Sequence, residues 1–222
     1  MVKEGDTMKK EGDAMMAKVP AKVTAPHFLD SVPNQGDVLP MAPSAVILNF
    51  DFNLHTDSTI TVTRDGQSVL TGTKTISPNQ LSMSIPITGN AGDGTYTVSY
   101  KACWPDRSCH TGSVSFIVDA SKKSAFNDMR GKREVAVAMQ NIAFTPQLLI
   151  VNPGTKVTWT NNDGAVHFVN SDPHPSHNGT PALNSSSLQK GQSYSFTFAN
   201  AGIYTYHCSA HLGMTGQVLV QS

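Results

Sequence analysis

The sequence predicts an all-β protein built as two β-sandwich domains, and three observations carry that expectation. Apolar residues recur in short alternating runs rich in Val, Ile, Thr and Tyr, the period of half-buried strands. Clusters of Gly, Pro, Asn and Asp interrupt those runs at close intervals, as turns between strands do. The 222 residues suffice for two small domains, and a charged stretch without strand pattern lies near the middle.

Taken in order, residues 1–24 are polar and contain a short echo, Lys3-Glu4-Gly5-Asp6-Thr7-Met8 against Lys10-Glu11-Gly12-Asp13-Ala14-Met15. Mixed charge and few large apolar groups make this a flexible tether, whose Met8, Met15 and Met16 offer exposed thioethers. Residues 25–119 form the first sandwich. Its clearest strands are 45–50, 59–63, 95–100 and 113–118, each alternating and rich in β-branched residues. Residues 120–133 are charged and irregular, and serve as the linker. Residues 134–222 form the second sandwich. Here 156–160, 202–206 and 216–220 read as strands, and Asn161-Asn162-Asp163-Gly164 reads as a turn leading into His167.

Chemistry concentrates near the end of the chain, in Tyr206-His207-Cys208-Ser209-Ala210-His211-Leu212-Gly213-Met214. A tight loop after Cys208 can bring Cys208, His211 and Met214 to one point, while His167 comes from a separate segment. One soft thiolate and two imidazoles form a trigonal plane that suits both Cu(I) and Cu(II), with a weak axial thioether beside it. On these residues, 134–222 resemble the cupredoxins, the plastocyanin- and amicyanin-like type 1 copper proteins, whose fold is a Greek-key sandwich. The resemblance implies His167, Cys208 and His211 as strong copper ligands and Met214 as the axial one. It also implies one-electron transfer through the exposed edge of His211. Phe144, Phe168, Tyr206 and Leu212 are expected to shield the site. Relatives often carry Asn directly after the first ligand His and tie the two ligand segments through it. This chain has Phe168 there, which leaves Asn184 and Ser185 to supply such bonds.

The first sandwich shows Pro26-His27-Phe28-Leu29-Asp30 at its start, then Ile47-Leu48-Asn49-Phe50, Gly94-Thr95-Tyr96-Thr97-Val98 and a late loop with Asp106 and His110. In this order the segment resembles the CopC-type copper-resistance domain, an immunoglobulin-like sandwich. The resemblance implies a second, weaker Cu(II) site at His27, Asp106 and His110. His27 is internal, so it offers no terminal amine, and Met83 stands without the methionine cluster of that family's Cu(I) site. The alternative is a spacer domain stapled by a disulfide.

With Cys208 assigned to copper, Cys103 and Cys109 remain, in Cys-Trp-Pro-Asp-Arg-Ser-Cys. A turn-rich loop of that length can satisfy disulfide geometry, which implies an oxidising compartment; two free thiols are the alternative. Met1-Val2-Lys3-Glu4-Gly5-Asp6 lacks the apolar core of a signal peptide, so either an export signal has been removed or the chain is cytosolic. The cysteine pair favours an extracytoplasmic place. Charged residues are 14% and balance to zero, so no basic field recruits nucleic acid. No apolar run approaches the roughly 20 residues that span a bilayer. Multicopper oxidases need paired His-x-His segments, absent here, and copper nitrite reductases a much longer ligand loop. No enzyme activity is expected. The reading is a monomeric electron carrier that meets a redox partner protein; copper handling with a copper-trafficking partner is the alternative. By strand parity His207 points outward, and His174 and His177 lie on a proline-constrained surface loop, an adventitious metal site being the alternative.

Overall fold

The computed structural model describes residues 19–89 and 91–222. Met8, Met15 and Met16 lie outside them. The chain divides into two compact units, one ending at Ala120 and the other beginning at Ser121.

In the first unit, one sheet runs in the order Phe28–Val32, Ala45–Phe50, Ser82–Gly89 and Leu70–Thr71, with Thr75–Ile76 also on Ser82–Gly89. The other runs Val38–Leu39, Cys109–Val118, Gly94–Cys103, Thr59–Arg64 and Gln67–Ser68. Val46, Leu48, Val98 and Phe116 are fully buried between them, as alternation requires of inward positions. Cys103 and Cys109 face each other across the adjacent strands and are joined as a disulfide, with Cα atoms 4.1 Å apart. Part of the polar leader belongs to this unit. Val23 exchanges both backbone hydrogen bonds with Ser113, and the Pro20 carbonyl accepts one from Gln35.

The second unit is also a pair of sheets. One contains Asn127–Asp128, Leu148–Val151, Thr215–Val220, Gly202–His207 and Asn170–Ser171; the other Phe144–Thr145, Glu134–Met139, Thr155–Asn161 and Ser193–Phe198. Three pairings are parallel, Asn127–Asp128 with Leu148–Val151, Leu148–Val151 with Thr215–Val220, and Glu134–Met139 with Thr155–Asn161. The charged stretch between the units is not all linker. Ala120–Ala125 forms a 3-10 helix, Phe126 is buried, and Asn127–Asp128 pairs with Leu149 and Ile150.

Trp159, Phe198 and Tyr206 form the bulk of the second core, each fully buried and each worth about 1.5–3 kcal/mol or more of apolar burial. The Tyr206 ring meets Trp159 at 5.3 Å and Phe144 at 4.9 Å between centroids. Burial pushes the Tyr206 phenol well above its usual range, so it stays neutral. Its other face lies on Gly216 of the neighbouring strand. A Cβ at Gly216 would stand 2.3 Å from the Tyr206 ring carbon Cζ. This packing fixes Tyr206, and with it the strand that delivers Cys208 two residues on.

Gly216→Ala is therefore expected to destabilise by about 1–3 kcal/mol, the usual cost of overpacking a dense core. Gly164→Ala, where nothing lies within 4 Å, is the control and should stay within about 0.5 kcal/mol. Urea melts of the two variants check this.

Candidate metal centre

Three segments build the centre. The strand Gly202–His207 delivers Cys208, the next residue, which is 2% exposed. The loop after it is closed by its own backbone: Cys208 N–H donates to the Met214 carbonyl at 2.9 Å, His211 N–H to Cys208 at 3.1 Å, and Met214 N–H to His211 at 3.2 Å. Gly213 supplies the positive φ, +85°, that lets the turn close. Met214 is thereby drawn inside, 3% exposed, while His211 keeps one side open and Leu212 stands fully in solvent.

His167 arrives from the opposite side. Its backbone exchanges hydrogen bonds with Leu188, N–H to carbonyl at 3.1 Å and in return at 2.8 Å. The buried Asn161 side chain ties its amide to the carbonyls of Ala165 and Leu188, both at 2.8 Å, so the turn before His167 is held from within.

These segments bring the Cys208 sulfur to 3.6 Å from His167 Nδ1 and 3.5 Å from His211 Nδ1. A metal bonded at about 2.0–2.3 Å to nitrogen and sulfur would hold such atoms roughly 3.5 Å apart. The Phe168 N–H points at the sulfur from 3.3 Å. The donor set fits copper: soft thiolate, two imidazole nitrogens, and a buried thioether in the same loop.

Asp163 is the residue that sequence reasoning missed. Its carboxylate lies 2.9 Å from His167 Nε2 and accepts the N–H groups of Asn141 (2.8 Å) and Ile142 (3.0 Å). Those two residues both have positive φ, +56° and +57°, at the centre of a turn closed by Gln140 and Ala143. For a β-branched Ile this is a strained backbone, and Asp163 anchors it. With Nε2–H donated to Asp163, the lone pair of His167 falls on Nδ1, the atom facing Cys208. The signal in sequence was the Asp four residues before His167, inside a stretch read only as a turn.

Other placements differ from expectation. Phe144 and Tyr206 are buried and Phe168 packs against the core, but Leu212 is exposed and shields nothing. Asn170 replaces the Asn expected after His167: its side-chain oxygen accepts the Ser209 hydroxyl at 3.0 Å, joining the two ligand segments. Ser185 takes the Val169 N–H at 2.9 Å and Asn184 the Ser171 N–H at 3.0 Å. His207 points away from the Cys208 side, as parity requires, but is partly covered by the loop carrying His174 and His177.

In the first unit, His27, Asp106 and His110 do not converge. His27 Nδ1 sits 2.9 Å from Asp51, and its ring packs between Phe52 and Trp104 at 5.0 and 5.2 Å. Asp106 is turned to the Ser108 hydroxyl (2.7 Å) and N–H (2.9 Å), which hold its carboxyl below the usual value. Among the described residues, only two groups of three or more His, Cys, Asp or Glu bring their ligand atoms within 4.8 Å of one another, and neither lies here.

Comparison with known proteins agrees with this geometry. The family described as "copper binding proteins, plastocyanin/azurin family" matches residues 131–221, and the CopC domain matches residues 28–119. Plastocyanin of Scenedesmus fuscus is 36% identical over 86 residues, covering 36% of this chain and 88% of that protein. The chain belongs to the plastocyanin/azurin family. Amicyanin of Paracoccus denitrificans is 41% identical over 80 residues, 35% of this chain and 56% of that protein. The chain thus spans little more than half of that amicyanin, and 59% of the chloroplastic plastocyanin of Tetradesmus obliquus. Solved structures similar to it include a purple cupredoxin from Nitrosopumilus maritimus (30% identity, 39% of this chain and 99% of that one, TM-score 0.35). Another is PcoC, a methionine-rich copper resistance protein from Escherichia coli (26%, 43% and 100%, TM-score 0.39). Copper binding is the property this family places on the second unit.

The anchoring of Asp163 has a pH signature in the copper-free protein. The N–H groups of Ile142 and Asn141, then His167, draw its carboxyl down from 3.8 to about 2. Its contribution to stability is therefore complete above the usual carboxylate value and lost as pH falls through about 4 to about 2. Melting temperatures followed over that interval should fall more steeply for the wild type than for Asp163→Ala, which should already melt lower at neutral pH.

Proposed function

We propose that the chain is an exported one-electron carrier with a mononuclear type 1 copper centre at His167, Cys208, His211 and Met214. The observation that supports this most directly is the meeting of one buried thiol and two imidazole nitrogens at 3.5 and 3.6 Å. Copper, when bound there, supplies the Cu(II)/Cu(I) couple. The protein's part is to hold the donors in one arrangement that serves both oxidation states. Cys208 takes the Phe168 N–H, His167 is oriented by Asp163, and the closed backbone of the Cys208–Met214 loop fixes His211. Water is kept off by Phe144, Tyr206 and Met214.

Only the His211 side is open, and Leu212 stands beside it as an apolar contact for a redox partner protein. The residues at the centre act as ligands and props, so no catalytic role is assigned to any of them. The Cys103–Cys109 disulfide supports an oxidising, extracytoplasmic location. No helix among the described residues is long and apolar enough to cross a membrane.

A second reading, copper handling, is favoured by the CopC match over residues 28–119. In that reading a weaker Cu(II) site at His27, Asp106 and His110 would have to assemble by displacing Asp51 from His27. Chelator challenge separates the two readings. A carrier keeps its copper when reduced and placed with a Cu(I) chelator, and reoxidises with its colour intact. Prompt loss of copper on reduction, or its transfer to the isolated first unit, would establish handling instead.

Colour tests the ligands. Copper-loaded wild type should be intensely blue through thiolate-to-Cu(II) charge transfer. Cys208→Ser should be colourless, because an alcohol does not replace a soft thiolate. Met214→Leu should stay blue and show a higher potential, since loss of a weak axial donor disfavours Cu(II). A blue Cys208→Ser protein contradicts the assignment.

A further inference from the structure

On the far side of the Cys208 strand, three imidazoles meet that the electron-carrier reading does not use. His207 Nε2 and His174 Nδ1 both lie 3.2 Å from His177 Nε2, and the Ser209 hydroxyl is also 3.2 Å from it. One nitrogen from each ring falls within 4.8 Å of the other two. We propose that His174, His177 and His207 form a second metal site, for a divalent transition ion of borderline softness, with Cu(II) bound more tightly than Zn(II).

The chemistry of the rings argues for a cation at their meeting point. An imidazole nitrogen carries either one N–H or one in-plane lone pair. His177 Nε2 therefore satisfies one ring neighbour by hydrogen bonding but not both. A cation accepts all three lone pairs together. The tautomer of His207 is already set for this. Its Nδ1 lies 2.6 Å from the Asp172 carboxylate, so Nδ1 carries the proton and Nε2 presents its lone pair to the cluster. A carboxylate behind a ligating imidazole is the usual support of a metal-bound histidine.

The site is also built rather than adventitious in its backbone. Asp172 N–H donates to Thr205 at 3.1 Å, and the Asp172 carbonyl accepts Gly179 N–H at 2.9 Å, closing the loop at both ends. The His177 carbonyl accepts the Ser171 hydroxyl (3.0 Å) and the Asn184 amide (2.9 Å). His177 itself holds a positive φ of +48°, which aims its ring at His207. His207 and Asp172 are mostly buried, with side chains 13% and 20% exposed, and His174 lies at the open edge. Three nitrogen donors with a free side suit Cu(II) and Zn(II), with Cu(II) the stronger. His207 and Cys208 are consecutive, so one peptide bond links this site to the first.

The test uses the full chain loaded with one equivalent of copper, so that only the first centre is filled, and then reduced, a diamagnetic state. Zn(II) alone is titrated in, and the imidazole nitrogen resonances are followed by NMR. One equivalent should shift His174, His177 and His207 together and then saturate. Asp172→Asn should weaken binding about 10–100-fold, the range for loss of an outer support. His177→Ala should weaken it by more than that, and His174→Ala, at the edge, should weaken it without disturbing the fold. The colour on reoxidation should be the same before and after zinc, which separates this site from the first. Shifts spread over His27, His55 and His110 without saturation would overturn the proposal. So would zinc binding by His177→Ala equal to wild type.

Discussion

The structure of the second unit depends on keeping one thiol buried between two imidazoles. A thiolate with nothing beside it is poorly tolerated in an apolar interior, so its neighbours must be polar, aimed and few. Each surrounding feature answers that need. The Phe168 N–H faces the sulfur, the Asp163 carboxylate sets the His167 tautomer, and the loop from Cys208 to Met214 is pinned by its own backbone. Trp159, Phe144 and Tyr206 supply the dry wall behind. Gly216 is small because Tyr206 must lie flat against its strand. The core and the centre are thus one packing problem, solved by the same strand.

The parts legible in sequence were those encoded by local spacing. Cys208, His211 and Met214 lie close enough in the chain that a single turn must bring them together, and alternation put Tyr206 and Cys208 on the inner face. Strands with clean β-branched alternation, such as Ala45–Phe50 and Thr215–Val220, were equally readable. Ser82–Gly89 was not, because Pro86 and its serines argue against a strand; in the fold Pro86 pairs opposite Ala45. Glu134–Met139 and Ser193–Phe198 were also not read as strands; both pair with Thr155–Asn161, which was.

What sequence could not supply was contact across the fold. Asp163 looked like a turn residue, and only tertiary structure shows it joining His167 to the Asn141–Ile142 turn. His207 was assigned outward by parity, which is correct for the strand but blind to the loop folded over it. The Asn that ties the ligand segments sits at 170 instead of 168, two residues on, which keeps it on the same side of a strand. In the first unit the reverse holds: Asp51 meets His27 where the resemblance led to Asp106. The aromatic packing of His27 with Phe52 and Trp104 reinforces that arrangement.

If the fold holds its donors in place independently of oxidation state, the copper environment should be nearly the same in both. X-ray absorption at the copper edge, on oxidised and reduced protein, measures this directly. The account predicts one short copper–sulfur and two copper–nitrogen bonds in each state, with only small changes in length. A reduced centre that has lost an imidazole, or an oxidised one without the short sulfur bond, would contradict it.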